Sequence, residues 1–279
     1  MPSLERCWLF ARLAVPADGR PDARVPELVG TVLTDLVTAA RRADPGTDWF
    51  FDLLDTSTGR WLSLGFHAAP AALDAARARL LAYDPRVSFA PAPDTVRDAA
   101  RGGPLASAGS DLALTLLGGD APWLAGVELP LAVAHLRHLT GLVPAADRLA
   151  FLFLHWQDRS QRLTGAQRRD LAAQADAEAE KIVLAAGDLP LGGEIAVAWQ
   201  LYLDRVAHVV GREHPAAPRG FLLAHHAQLT HERWGIGPDV DSLAALALRL
   251  SMVRDRPAAP APAPVPQQRR QQPHARVRA

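Results

Sequence analysis

The chain has 279 residues, and its 30 basic and 30 acidic side chains cancel to a formal net charge of zero. That length can bury a substantial core, and the charge balance removes the basic excess a non-specific nucleic-acid binder needs to release counterions. Cys7 is the only cysteine, which excludes an internal disulfide and a multi-cysteine zinc site.

In chain order, residues 7–15 (CWLFARLAV) form an apolar, aromatic run that predicts a buried strand. On it Cys7 is expected to behave as a small hydrophobe. Residues 25–43 place Leu28, Val29, Val32, Leu33, Leu36 and Val37 at helical spacing. Residues 48–54 and 61–67, split by the polar stretch DTSTGR, predict a hairpin. In its second strand Leu62, Leu64 and Phe66 share one face, and Trp61, Ser63, Gly65 and His67 the other. A helix over 70–84, with proline in its first turn, and a strand over 87–92 follow. The order β-α-β-β-α-β over residues 1–100 is the ferredoxin-like pattern.

From about residue 101 to 255 the chain reads as successive helices: 105–118, 127–141, 145–158, 165–186, 190–211, 218–234 and 240–254. Thr164 and Gln167 have the spacing of a capping box. The fold class is therefore α+β, with a ferredoxin-like portion followed by a mostly helical one. Residues 256–279 are Pro/Ala/Gln/Arg-rich and are expected to be a disordered tail. The N-terminus carries Glu5 and Arg12 and makes a poor signal peptide, and the apolar runs are too short to span a bilayer. A cytoplasmic protein with no membrane association is the expectation.

The stretch FLLAHHAQLTHERWGIG (221–237) concentrates the chemistry. His225, His226 and His231 lie one, five and six residues apart, so no two imidazoles meet on one metal within a single helix. The other histidines, His135, His138 and His155 among them, are scattered, and no metal site is expected. Helical spacing puts His225, Gln228 and Glu232 on one stripe with His231 beside it, while Leu222, Leu223, His226 and Leu229 form the other side. Tyr202, in the apolar helix before it, is a candidate proton donor. Trp61, Trp199 and Trp234 are large apolar bodies that either build core or line a groove.

The hairpin DWFFDLLDTSTGRWLSLGFHAAPAAL, the opening CWLFARLAVPADGRPDAR and the late helix FLLAHHAQLTHERWGI together resemble the C-terminal elimination family of lantibiotic dehydratases, over roughly residues 7 to 254. The departures are informative. Leu53, Ser63 and Gly65 stand where glutamate-eliminating members carry arginines, and Gln228 stands where they carry a histidine. A carboxylate is best held by guanidinium forks, so this hairpin is poorly equipped to grip a glutamyl group. The pattern resembles instead the thiopeptide pyridine synthases of the same family. That resemblance implies an enzyme that joins two dehydroalanines of a leader-bearing precursor peptide in a formal aza-[4+2] cycloaddition. Water and the leader then leave, without a cofactor.

On the same resemblance, His225, Gln228 and His231 of the late helix are the candidate catalytic residues, joined by Tyr202 on the strength of its chemistry and position. Trp61, Ser63, Trp199, Glu232, Arg233 and Trp234 are the candidate peptide contacts, and other biosynthetic enzymes are candidate partners. Two alternatives stand beside this reading. One is a glutamate-elimination partner of a split dehydratase that recognises glutamate with other arginines, such as Arg137 or Arg233; the other is a non-catalytic scaffold that binds a leader peptide.

Overall fold

A computed structural model describes residues 5–15, 28–56, 59–90, 103–118, 126–189, 192–212 and 218–255. The tail over 256–279 lies outside the described residues. The strands are β1 (Cys7–Ala14), β2 (Asp48–Thr56), β3 (Gly59–Ala68) and β4 (Ser88–Ala90). They form one sheet in the order β2-β3-β1-β4 with every neighbouring pair antiparallel. Helix α1 (Thr34–Ala43), entered through a π-helical segment over Leu28–Leu33, joins β1 to β2, and α2 (Pro70–Tyr83) joins β3 to β4.

Alternation sets the faces of the sheet. Ala11, Leu64 and Phe51 are register partners across β1, β3 and β2, as are Leu13, Leu62 and Leu53. Ala11, Leu13, Phe51, Leu62, Leu64 and Phe66 are buried in the core that α1 and α2 also join. On the other face Trp8, Phe10, Phe50 and His67 cluster, with Trp8 stacked on His67 at 4.9 Å. The Phe50 ring lies over Gly65, where a Cβ would collide with it. Cys7 is exposed. The expectation of a buried thiol fails because Cys7 is the first residue of the strand, at the frayed rim of the alternating pattern.

The helical part comprises α3 (Pro104–Leu117), α4 (Glu128–Gly141), α5 (Arg148–Ser160), α6 (Gly165–Ala185), α7 (Gly193–Gly211), α8 (Arg219–Arg233) and α9 (Pro238–Arg254). Helix α6 starts at the reciprocal Thr164/Gln167 capping box. Helix α9 is buried without interruption from Asp241 to Leu248 and packs against α4, α5 and α6. Its alanines admit close neighbours, and a helix apolar all round belongs in an interior.

The two parts share one apolar core. Strand β2 is an edge, and a bare edge exposes unpaired backbone groups. Here the Ser110 hydroxyl of α3 accepts from Phe51 N at 3.1 Å, and Arg233 Nε of α8 donates to Phe51 O. Asp111 of α3 accepts from the Trp49 indole at 2.7 Å and from Arg41 of α1 at 2.8 Å.

Candidate functional site

Four helices converge on a buried polar chain. The Asp241 carboxylate, in the first turn of α9 where the helix dipole favours negative charge, lies 2.8 Å from His231 Nδ1 of α8. His231 Nε2 lies 2.8 Å from His135 Nδ1 of α4. His135 Nε2 lies 2.6 Å from the Tyr202 hydroxyl of α7, which in turn lies 2.7 Å from His226 Nε2 of α8. Every member is buried. His155 Nε2 of α5 also reaches Asp241 Oδ1 at 2.8 Å. Arg159 Nε approaches Asp241 Oδ2 to 2.7 Å, a charge contact out of line for a hydrogen bond.

One proton arrangement satisfies this chain. An ionised carboxylate only accepts, so His231 Nδ1–H and His155 Nε2–H both donate to Asp241. His231 Nε2 then accepts from His135 Nδ1–H, His135 Nε2 accepts from the Tyr202 hydroxyl, and the Tyr202 oxygen accepts from His226 Nε2–H. The electrostatics agree. Burial holds the His135 imidazole well below its ordinary value. Burial likewise pushes His226 down to about 3, helped by Arg233, so both are neutral. Burial pushes the Tyr202 phenol well above its usual range. For Asp241 burial opposes ionisation, but the interactions of His155 and His231 with the carboxyl outweigh it and hold it well below the usual range.

Donor atoms of His155, His231 and Asp241 lie within 4.8 Å of one another, the outline of an ion tripod. The arrangement is better satisfied as hydrogen bonds. Both imidazoles address one carboxylate oxygen at hydrogen-bond distance, and the Arg159 guanidinium faces the other. Spacing along one helix could not foresee this cluster, because its members come from α5, α8 and α9.

A cavity of about 920 Å³ opens between α5 and α8. Its walls include Phe151, Leu154, His155, Phe221, His225 and Gln228. Phe221 stacks on His225 at 6.4 Å. His155 therefore belongs both to the cavity wall and to the buried chain.

The candidate residues divide accordingly. His225 and Gln228 line the cavity. Tyr202 and His231 do not; they lie in the buried chain behind it. Helical spacing set His231 beside Gln228, but its side is an inner one, shared with the buried Ala227 and Thr230. Glu232 takes Gln228 Nε2 at 3.2 Å and Arg159 Nη1 at 2.8 Å. Arg233 is fully buried and committed to the β2 edge, with Nη2 2.7 Å from Asp52. Trp199 and Trp234 are buried against each other and against His135, at 6.1 and 4.9 Å from its ring, and form an apolar jacket to the chain. Trp61 and Ser63 lie on β3, outside the cavity lining.

Surface or capping roles, the default for scattered histidines, fail at His135 and His155, which are buried and hydrogen-bonded, whereas His226 packs inward with the mostly apolar side of its helix. A signal was present. His155 follows the buried Phe151 at i+4, and His135 follows the buried Leu131 at the same interval, so both sit on apolar stripes.

No protein-family model and no curated protein matches this sequence. Solved structures do match. One is the tRNA-dependent lantibiotic dehydratase MibB from Microbispora sp. 107891, with 18% identity and a TM-score of 0.56. The match covers 92% of this chain and 29% of that one, so this chain spans under a third of MibB's length. A second is TsrL, at 14% identity and 0.56, covering 89% and 95%. A third is the pyridine synthase TbtD from thiomuracin biosynthesis, at 15% and 0.54, covering 89% and 98%. At these identities the likeness is one of fold.

Proposed function

We propose that the protein modifies a leader-bearing ribosomal peptide as a pyridine-forming macrocyclase. It would join two dehydroalanines by formal aza-[4+2] cycloaddition, then release water and the leader. The observation that carries this reading is the α5–α8 cavity, roomy enough for a folded-over peptide segment and walled by aromatic, imidazole and carboxamide groups. Holding two alkenes in register is chiefly an entropic task, worth on the order of 7–11 kcal/mol when orientation is good. Gln228 can bridge a reacting amide with one donor and one acceptor, which the imidic-acid tautomer requires.

The fold likeness to TbtD supports the same reading. So does the sheet order β2-β3-β1-β4, which fits a ferredoxin-like portion over residues 1–100 beside a helical portion over 101–255. Of the arginines named for the glutamate-elimination alternative, Arg233 is tied to Asp52, which disfavours it as a substrate contact, and Arg137 donates to Val183 O at an exposed position.

The test is incubation with a leader-bearing peptide containing azoles and two dehydroalanines, read by mass. A macrocycle plus released leader amide supports the reading. Unchanged peptide that co-elutes with the protein assigns a scaffold instead, and glutamate loss from a glutamylated peptide assigns the eliminase. Gln228→Ala should lower turnover by about 10²-fold while sparing the fold, since Gln228 is only partly buried. Full activity in that variant would remove Gln228 from the mechanism.

A further inference from the structure

We propose that His155 is the proton-transferring catalytic residue of the α5–α8 cavity, with Asp241 as its positioning carboxylate. The inference deepens the pyridine-forming reading and rests on it for the turnover assay alone. His155 lines the cavity, yet only 2% of its side chain is exposed, so it is fixed in the wall. Its Nε2 is committed to Asp241 Oδ1 at 2.8 Å. Because that oxygen only accepts, the proton of the neutral ring sits on Nε2 and the lone pair on Nδ1. The carboxylate cannot turn away, since His231 shares Oδ1 and Arg159 faces Oδ2.

The wall also holds Gln228, His225 and the exposed carboxylates of Asp147 and Asp158. Gln228 cannot exchange a proton near neutrality, and His225 stacks on the exposed Phe221 at the mouth. His155 differs in being fixed in the wall with Asp241 at 2.8 Å, across the cavity from the late helix.

The step balances as a dehydration. His155 Nδ1 takes a proton from the cyclised intermediate, and the electron pair left behind forms the new ring double bond as the C–O bond breaks. The imidazolium, stabilised by Asp241, returns that proton to the departing hydroxide. One water leaves, and the imidazole ends neutral.

The test uses the full chain, labelled uniformly with ¹⁵N, and the azole- and dehydroalanine-containing peptide as probe. Long-range ¹H–¹⁵N spectra should show His155, identified by its absence in His155→Gln, as the Nε2–H tautomer. Its Nδ1 resonance should move when the probe peptide binds. A folded His155→Gln should bind the probe peptide within about threefold of the parent yet turn over at least ~10²-fold more slowly. Asp241→Asn should lower turnover with little change in binding.

An Nδ1–H tautomer overturns the proposal, as does unchanged turnover in folded His155→Gln, or a stoichiometric metal held by His155, His231 and Asp241. If the parent binds the peptide without converting it, the pyridine-forming reading fails. The His155 assignment is then decided by the spectra: a shifted Nδ1 keeps it, and an unmoved one refutes it.

Discussion

Tyr202 has two imidazole partners, and all three rings are buried. Tyr202→Phe keeps the ring and deletes the oxygen, leaving His135 Nε2 and His226 Nε2–H without their partner. Each orphaned buried group costs about 1–3 kcal/mol, so the variant should lose roughly 2–6 kcal/mol in urea denaturation. A loss below about 1 kcal/mol would mean that the phenol does not bridge the two rings. Gly109 is a second sensitive position. A Cβ there would lie 3.1 Å from both Arg233 Nη1 and Thr230 Oγ1, so the glycine lets α3 approach α8. At this scale the sequence was legible in part. Tyr202 stood out as a phenol in an apolar helix. His135 and His155 did not, because a histidine on an apolar stripe acquires meaning only when the stripe's neighbours are known.

Element boundaries were more legible than side-chain partners. The hairpin faces followed from alternation: Leu62, Leu64 and Phe66 are all buried. The seven later helices begin and end near their glycines, prolines and the Thr164 cap. Helix α8 was harder. Its spacing separated a polar stripe from an apolar one, but it carries polar residues on both the cavity side and the interior side, and amphipathic periodicity has no reading for that. Arg233 shows why. Its partners Phe51 and Asp52 lie 182 and 181 residues away, so nothing local distinguishes it from a substrate-gripping arginine. Its role in joining α8 to the β2 edge makes a sharp prediction. Arg233→Met removes the guanidinium that faces the buried Asp52 carboxylate and donates to Phe51 O, and should cost about 3–5 kcal/mol. Ser110→Ala removes one neutral partner from the same edge and should cost nearer 1 kcal/mol. Equal losses in the two variants would show that the Arg233–Asp52 pair is not buried in solution.

For the whole molecule, four helices buried around ionisable groups make stability depend on pH in a direction fixed by those groups. His135 and His226 are neutral when folded, with protonation suppressed by burial to well below the ordinary value and to about 3, respectively. Unfolded, both titrate near 6.5. As pH falls below 6.5 the unfolded chain binds two protons that the folded chain refuses. Stability is therefore intact above that pH and is lost below it, by roughly 3 kcal/mol per pH unit for the pair. Asp241 acts in the same direction only at lower pH: its folded carboxyl is depressed, so its contribution persists down to its unfolded value of 3.8 and falls away below. The window between pH 6.5 and 4 thus belongs to the two histidines. Against a typical domain stability of about 5–15 kcal/mol, the urea midpoint should drop steeply between pH 6.5 and 5. His226→Gln keeps a donor for Tyr202 but removes one titrating group, so it should roughly halve the slope while lowering stability at pH 7. A parent protein whose urea midpoint is flat from pH 7 to 5 would mean that these rings are protonated or solvated when folded, and the polarised chain from His226 to Asp241 would not exist as drawn.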